Sequence, residues 1–291
     1  MPEAAVIIPH YNDVQRLLRC LDALMPMVGV VNARVLQVEV VVVDNASTDS
    51  LAAVRAAHPD LRITYEPTPG AAAARNRGVA VTTAPRLFFL DADCVPAPDW
   101  LAVALRVSSD ADVVGGTVCV FDETPPPRSG AEAFETVFAF NNRGYIQKKG
   151  FSVTANLLTR RNVFAAVGEF TPGLSEDLDW CHRARAAGFG LVHAEGLRVS
   201  HPTRSDWPAL IRKWRRITDE SYALETGGAL VRLKWALRGL AMILSILAHT
   251  PKVLTSSRLS GTGERLAALA TLARLRLWRG GRMLGQAMRK G

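Results

Sequence analysis

The run Val-Glu-Val-Val-Val-Val at 38–43 constrains this chain more than any other segment. A strand nearly continuous in β-branched residues has no polar face, so it suits a strand covered on both sides. Val6-Ile7-Ile8, Leu87-Phe88-Phe89-Leu90, Val113-Val114 and Leu197-Arg198-Val199-Ser200 read as further strands. Residues 14–24, 50–57 and 71–81 read as helices, the second behind the cap-rich stretch Asn45-Ala46-Ser47-Thr48-Asp49. Strand–helix alternation predicts an α/β fold, a mostly parallel sheet with helices on both faces. Ligands of such sheets bind beyond the carboxyl ends of the strands. Here those ends are polar: the first strand leads into Pro9-His10-Tyr11-Asn12-Asp13, Val43 into Asp44, and Leu90 into Asp91-Ala92-Asp93.

With 291 residues, 48% of them hydrophobic and 21% charged, the chain can bury such a core and is too apolar for disorder. Cys20, Cys94, Cys119 and Cys181 lie far apart with no C-x-x-C pair, which excludes a zinc ribbon or a disulfide scaffold by spacing and suits a reducing compartment. The first residues carry no basic stretch and no long apolar run, so no signal peptide is expected and a cytoplasmic location follows. The formal charge of +8 is uneven. Residues 1–203 hold 18 Lys+Arg and 22 Asp+Glu, whereas 204–291 hold 17 and 5. Long helical patterns replace the alternation in this last third, so a domain 1–205 is expected to precede a basic helical extension 206–291. Pro125-Pro126-Pro127 reads as a loop, because strand-like sequence resumes at Phe151-Ser152-Val153.

Several clusters could carry chemistry. Asp91-Ala92-Asp93 sets two carboxylates at a strand end, where they can converge on a hard cation, or where Asp serves a turn. Ser175-Glu176-Asp177-Leu178-Asp179 opens a helix. Its acids complement the helix dipole, and a carboxylate fixed there could also act as a general base. His201 is a lone histidine, a type more often structural than ligating. In Arg75-Asn76-Arg77-Gly78 a guanidinium could hold phosphate or a base edge, with a solvated helix face as the plain account, favoured for Arg77. The basic run at 212–216 is open to either account in the same way.

Taken in order, Val6-Ile-Ile-Pro9-His-Tyr11-Asn12, Val41-Val-Val-Asp44-Asn-Ala-Ser47-Thr-Asp49, Gly70-Ala-Ala-Ala-Ala-Arg75-Asn76-Arg-Gly78, Phe89-Leu-Asp91-Ala-Asp93 and Glu176-Asp177 closely resemble family 2 glycosyltransferases, over about residues 4–205. The resemblance implies the GT-A fold, an inverting mechanism, a nucleotide-sugar donor and a divalent metal, Mn2+ or Mg2+. It implies that the loop Pro9-His10-Tyr11-Asn12 and Asp44 hold base and ribose with Arg75 nearby, and that Asp91 contacts the nucleoside side. Asp93 would bind the metal, with His201 as a further metal or diphosphate ligand. Asp177 would be the catalytic base, Glu176 would orient the acceptor, and Phe151-Ser-Val-Thr-Ala-Asn156 would line the acceptor side. The Gln-x-x-Arg-Trp motif of processive members is missing, since Leu210-Ile-Arg-Lys213-Trp214 lacks both the Gln and the Arg, so one sugar per encounter is expected.

Two rivals carry other signals. Sugar-nucleotide-forming nucleotidyltransferases follow the first strand with a glycine-rich basic loop, which is absent here. A degenerate, non-catalytic transferase acting as an assembly partner would not need the acids, and Asp91, Asp93, Glu176 and Asp177 are all present. In the tail, 235–248 is too short for a membrane span of ~20 residues. Residues 264–284 interleave leucines at 266, 269 and 272 with arginines at 265, 274, 276, 279 and 282. That basic amphipathic pattern fits either peripheral contact with an anionic membrane, at its inner face, or a packing or homodimer element. No nucleic-acid module or stacking platform is visible, so no nucleic-acid partner is expected.

Overall fold

A computed structural model of the chain describes residues 1–33, 36–173, 175–223, 225 and 228–288. In chain order the elements are β1 (Ala4–His10), α1 (Val14–Asn32), β2 (Val38–Asp44), α2 (Ala52–Ala57), β3 (Arg62–Tyr65), α3 (Ala71–Val81), β4 (Arg86–Leu90), β5 (Val95–Pro96), α4 (Trp100–Val107) and β6 (Val113–Phe121). Then follow α5 (Gly130–Phe138), α6 (Asn142–Gly144) with a π turn Tyr145–Lys149, β7 (Asn156–Arg160), α7 (Arg161–Val167), α8 (Glu176–Ala186) and β8 (Leu191–Pro202). Helices α9 (Trp207–Ala223), α10 (Ala229–Leu254) and α11 (Gly261–Met288) complete it. The chain forms two compact units, Met1–Cys119 with Asn141–His201, and Val120–Phe140 with Pro202–Gly291.

The eight strands run in the order β3-β2-β1-β4-β7-β6-β8-β5. Strands β3, β2, β1 and β4 are parallel; β7 is antiparallel to β4 and β6, and β5 to β8. The sheet is thus mixed, with its parallel half built from the valine-rich strands. Register sets His10 opposite Asp44 and Ile7 opposite Phe89. The carboxyl ends of β1, β2 and β4 therefore share one edge, and their polar tails emerge together. Ile7, Val41, Val43 and Phe89 lie fully buried against α3, α7 and α8. Gly78 makes the α3 contact possible, since a Cβ there would lie 2.3 Å from Ile7 Cγ2.

Local readings needed revision in four places. The first helix continues past Pro26 to Asn32. The second begins at Ala52, because 45–49 is a loop rather than a cap. Residues 151–153 form no strand, and the chain becomes extended only at Asn156. That asparagine cannot line an acceptor site. It is fully buried, donating to Thr117 O and Leu197 O and accepting from Trp100 Nε1.

The second unit has its own core, with Phe134, Leu210, Val253, Leu272 and Leu275 at its centre. Helix α5 starts on a capping box between Ser129 and Glu132. Helices α10 and α11 lie close enough that a Cβ on Gly280 would sit 2.8 Å from Gly239 O. Of the α11 leucines at 266, 269 and 272, Leu272 is buried and Leu269 half-covered in the core of this unit, while Leu266 is 65% exposed. Of the basic run on α9, Arg212, Arg215 and Arg216 are exposed and Lys213 turns inward. Lys213 donates to buried Glu135 at 2.8 Å, which also accepts from the Arg204 backbone N–H, and Trp214 lies under Arg279. No helix among the described residues is long and apolar enough to cross a membrane.

Candidate active site

At the carboxyl edge of β1, β2 and β4 lies a cleft of about 230 Å3 in the first unit. Of the residues expected at a site, Pro9, Tyr11, Arg75, Asp91 and Asp93 line it, joined by His10, Asp13, Asn45 and Ala71. Tyr11 is 62% exposed on this wall, an aromatic face open to a stacking partner. Asn12 and Asp44 build the loop behind it. Asn12 takes a positive φ of 46° and its Oδ1 accepts from Thr48 N at 2.7 Å and Asp49 N at 3.1 Å. Asp44 Oδ1 accepts from Ser47 N, and the Ser47 hydroxyl accepts from Asn12 N. Asn45 closes the other side, donating to Thr68 O and accepting from Gly70 N at the start of α3.

Arg75 ties the site together. It projects from α3, only 3% exposed, and forks to Asp91 Oδ1 at 2.6 Å and Glu176 Oε1 at 2.9 Å. Burial opposes its charge, but Asp91 and Glu176 outweigh that cost and hold its pKa above the usual value. The first-turn acids of α8 are thus not idle capping charges: Glu176 binds Arg75, and Asp179 binds Arg183 and Thr171. Between them sits half-buried Asp177, its Oδ1 accepting from Leu178 N at 2.8 Å. Burial, then the neighbouring Glu176, push its carboxyl up to about 6.

Asp93 meets His201 of β8, with Oδ2 3.1 Å from Nε2. Among the described residues no cluster of three or more His, Cys, Asp or Glu is arranged to hold a metal. A carboxylate and an imidazole side by side nevertheless fit a divalent ion that takes its remaining ligands from substrate phosphates. His10 belongs to the loop expected to hold base and ribose, and it too lines the cleft. It is 1% exposed, its two ring nitrogens have no hydrogen-bond partner among the described residues, and burial lowers its pKa against the pull of Asp44, Asp13 and Asp49.

Comparison with known proteins identifies the family and the fold. Residues 5–168 match the model of glycosyl transferase family 2. The chain is 32% identical over 226 residues to glycosyltransferase AglE of Haloferax volcanii, an alignment covering 74% of this chain and 72% of that protein. It is 28% identical over 221 residues to the pre-mycofactocin glycosyltransferase of Mycobacterium tuberculosis, covering 71% of this chain and 45% of that one. Among solved structures, the fold is similar to mannosyltransferase PcManGT of Pyrobaculum calidifontis in complex with GDP-Man and Mn2+. The TM-score is 0.60 at 22% identity, over 98% of this chain and 86% of that one. GalNAc-T7 with UDP, GalNAc and Mn2+ gives a TM-score of 0.52 at 17% identity, over 71% of this chain and 45% of that one. The chain belongs to glycosyltransferase family 2.

Proposed function

We propose that this glycosyltransferase moves one sugar per encounter from a nucleotide-sugar donor to an acceptor hydroxyl, with inversion, in the synthesis of a polysaccharide, glycolipid or other glycoconjugate. The observation that carries this reading is the pairing of Arg75 with both Asp91 and Glu176, which holds the start of α8 against the acid-lined cleft. Tyr11 offers a stacking face for a nucleobase, with Pro9 and the loop braced by Asn12 and Asp44 shaping the pocket for base and ribose. Asp93 and His201 are the residues that would hold Mn2+ or Mg2+. When bound, such an ion offsets negative charge on a departing diphosphate.

Asp177 takes the proton from the acceptor oxygen as that oxygen attacks the anomeric carbon on the face opposite the nucleotide. Its Leu178 N–H bond fixes the carboxylate plane, and a pKa of about 6 makes it a better base than an ordinary aspartate while leaving it ionised at neutral pH. Glu176, held by Arg75, orients the acceptor. Leu210-Ile-Arg-Lys213-Trp214 lacks the Gln and the Arg of the processive motif, which accords with transfer of a single sugar.

The reading is tested with the purified chain, a panel of nucleotide sugars, Mn2+ and simple glycoside acceptors, the anomer of the product being assigned by NMR. A product of inverted configuration, formed by the parent and lost in Asp177→Asn while nucleotide binding persists, is expected. A retained configuration, or full transfer by Asp177→Asn, would reject it.

A further inference from the structure

One side of α10 in the second unit is apolar and uncovered. Leu230, Leu233, Leu237, Leu240, Leu244 and Leu247 are each between 47% and 77% exposed, and Leu254 continues the spacing at 50%. Steps alternating between three and four residues follow one side of a helix, so these side chains form a single stripe. Trp235, Gly239 and Val253 lie buried on the other side, Gly239 against α11. The helix is apolar on both sides and only one of them is covered. Scattered exposed leucines are ordinary on a protein surface, whereas a contiguous run of six marks a contact.

Charge selects the occupant. In its 26 residues α10 carries Arg232, Lys234, Arg238 and Lys252 and no Asp or Glu. Two copies paired along this stripe in parallel would bring Lys234 beside Lys234. Paired antiparallel, they would bring Lys252 toward the cations of the other end. Coiled-coil seams are flanked instead by opposite charges. The acids of α9, of the α9–α10 connection and of α11 are engaged with cations of the same unit. Asp219 binds Arg282, Glu220 lies 3.8 Å from Arg216, Glu225 pairs with Arg238, and Glu264 binds Arg128. An apolar stripe edged by cations complements a surface that is apolar within and anionic at its face. No described helix is both long and apolar enough to cross a bilayer, so the fit is to lie along one.

We propose that the exposed leucine stripe of α10 docks the protein on an anionic lipid bilayer. The surface differs from the one the sequence pattern of α11 suggested, and it does not depend on the reaction assigned to the first unit. The test is flotation of the full chain with phosphatidylcholine vesicles, with and without phosphatidylglycerol. The protein should float with the phosphatidylglycerol vesicles, several-fold less with phosphatidylcholine alone, and less as salt rises. Leu240→Glu with Leu244→Glu should cut the bound fraction about tenfold with an unchanged melting curve, because both side chains already face solvent. Lys234→Glu should weaken binding to the anionic vesicles only. The proposal is overturned by absence of flotation with anionic vesicles or by equal flotation of the double glutamate variant. It is also overturned by a dimer in size-exclusion light scattering that the same variant splits, which would assign the stripe to a second copy.

Discussion

Burial and Glu176 raise the Asp177 carboxyl to about 6 from 3.8, while Arg75 and the Leu178 N–H pull it back. The rate of transfer should therefore climb as pH rises through about 6 and then level off. The same shift sets a stability cost. Because the folded pKa lies above the unfolded one, the stabilisation from this group is complete below about 3.8 and is lost as pH rises through about 6. Asp177→Asn, which keeps an acceptor for Leu178 N, should unfold at higher temperature than the parent at neutral pH. The gain is about 1–2 kcal/mol after allowance for partial exposure, and it vanishes at pH ~4. Arg75→Met gives the converse. It leaves Asp91 and Glu176 facing each other without their cation and should cost about 1–3 kcal/mol. It should also move the pH–rate limb to higher pH, since Arg75 is what lowers the Asp177 pKa. Equal limbs in parent and variant would break the link. At this scale, residue order identified Arg75, Asp91 and Glu176 as site members. Their mutual bonds were invisible, because they join positions 16 and 101 residues apart. Asn12 shows the same limit: its motif marked it, but only the fold reveals an oxygen engaged with Thr48 and Asp49.

The elements that the pattern located well are those whose environment is uniform. A strand buried on both sides must be apolar throughout, so β2 was visible from its valines, whereas Phe151-Ser-Val153 offered apolar residues without a partner strand. Helix α3 has almost no amphipathic pattern because Ala72, Ala73, Ala74 and Arg75 are all buried, and its glycine matters for that reason. Gly78→Ala drives a Cβ to within 2.3 Å of Ile7 Cγ2 in a fully buried strand and should cost about 1–3 kcal/mol, read as a lower melting temperature. Gly29→Ala, at an exposed position of α1 with nothing within 4 Å of the new Cβ, should instead gain about 0.5–1 kcal/mol. Opposite signs are expected from one substitution type, and two equal effects would contradict the α3 packing. Periodicity also marked α11 as amphipathic without revealing which helix covers its leucines.

For the whole molecule, the formal +8 conceals a mildly acidic stretch, 1–203, followed by a basic one, 204–291. A cleft lined by Asp13, Asp91 and Asp93 repels a bare diphosphate, so donor affinity should depend on a cation far more than the net charge suggests. Ligand that binds only the folded state raises stability by mass action, about 2.7 kcal/mol at a hundred times its Kd. A nucleoside diphosphate with Mn2+ should therefore raise the melting temperature clearly above the value with either alone. Asp93→Ala should erase the Mn2+-dependent part and leave the small metal-free shift. Tyr11→Ala should reduce both parts, because base stacking contributes with or without metal. Hydrogen exchange on the same samples should slow around residues 9–13 and 91–93 and stay unaltered along α10, where the nucleotide has no proposed contact. An Mn2+-dependent shift of full size in Asp93→Ala would mean that the ion is held elsewhere, and the pairing of Asp93 with His201 would then be a structural contact alone.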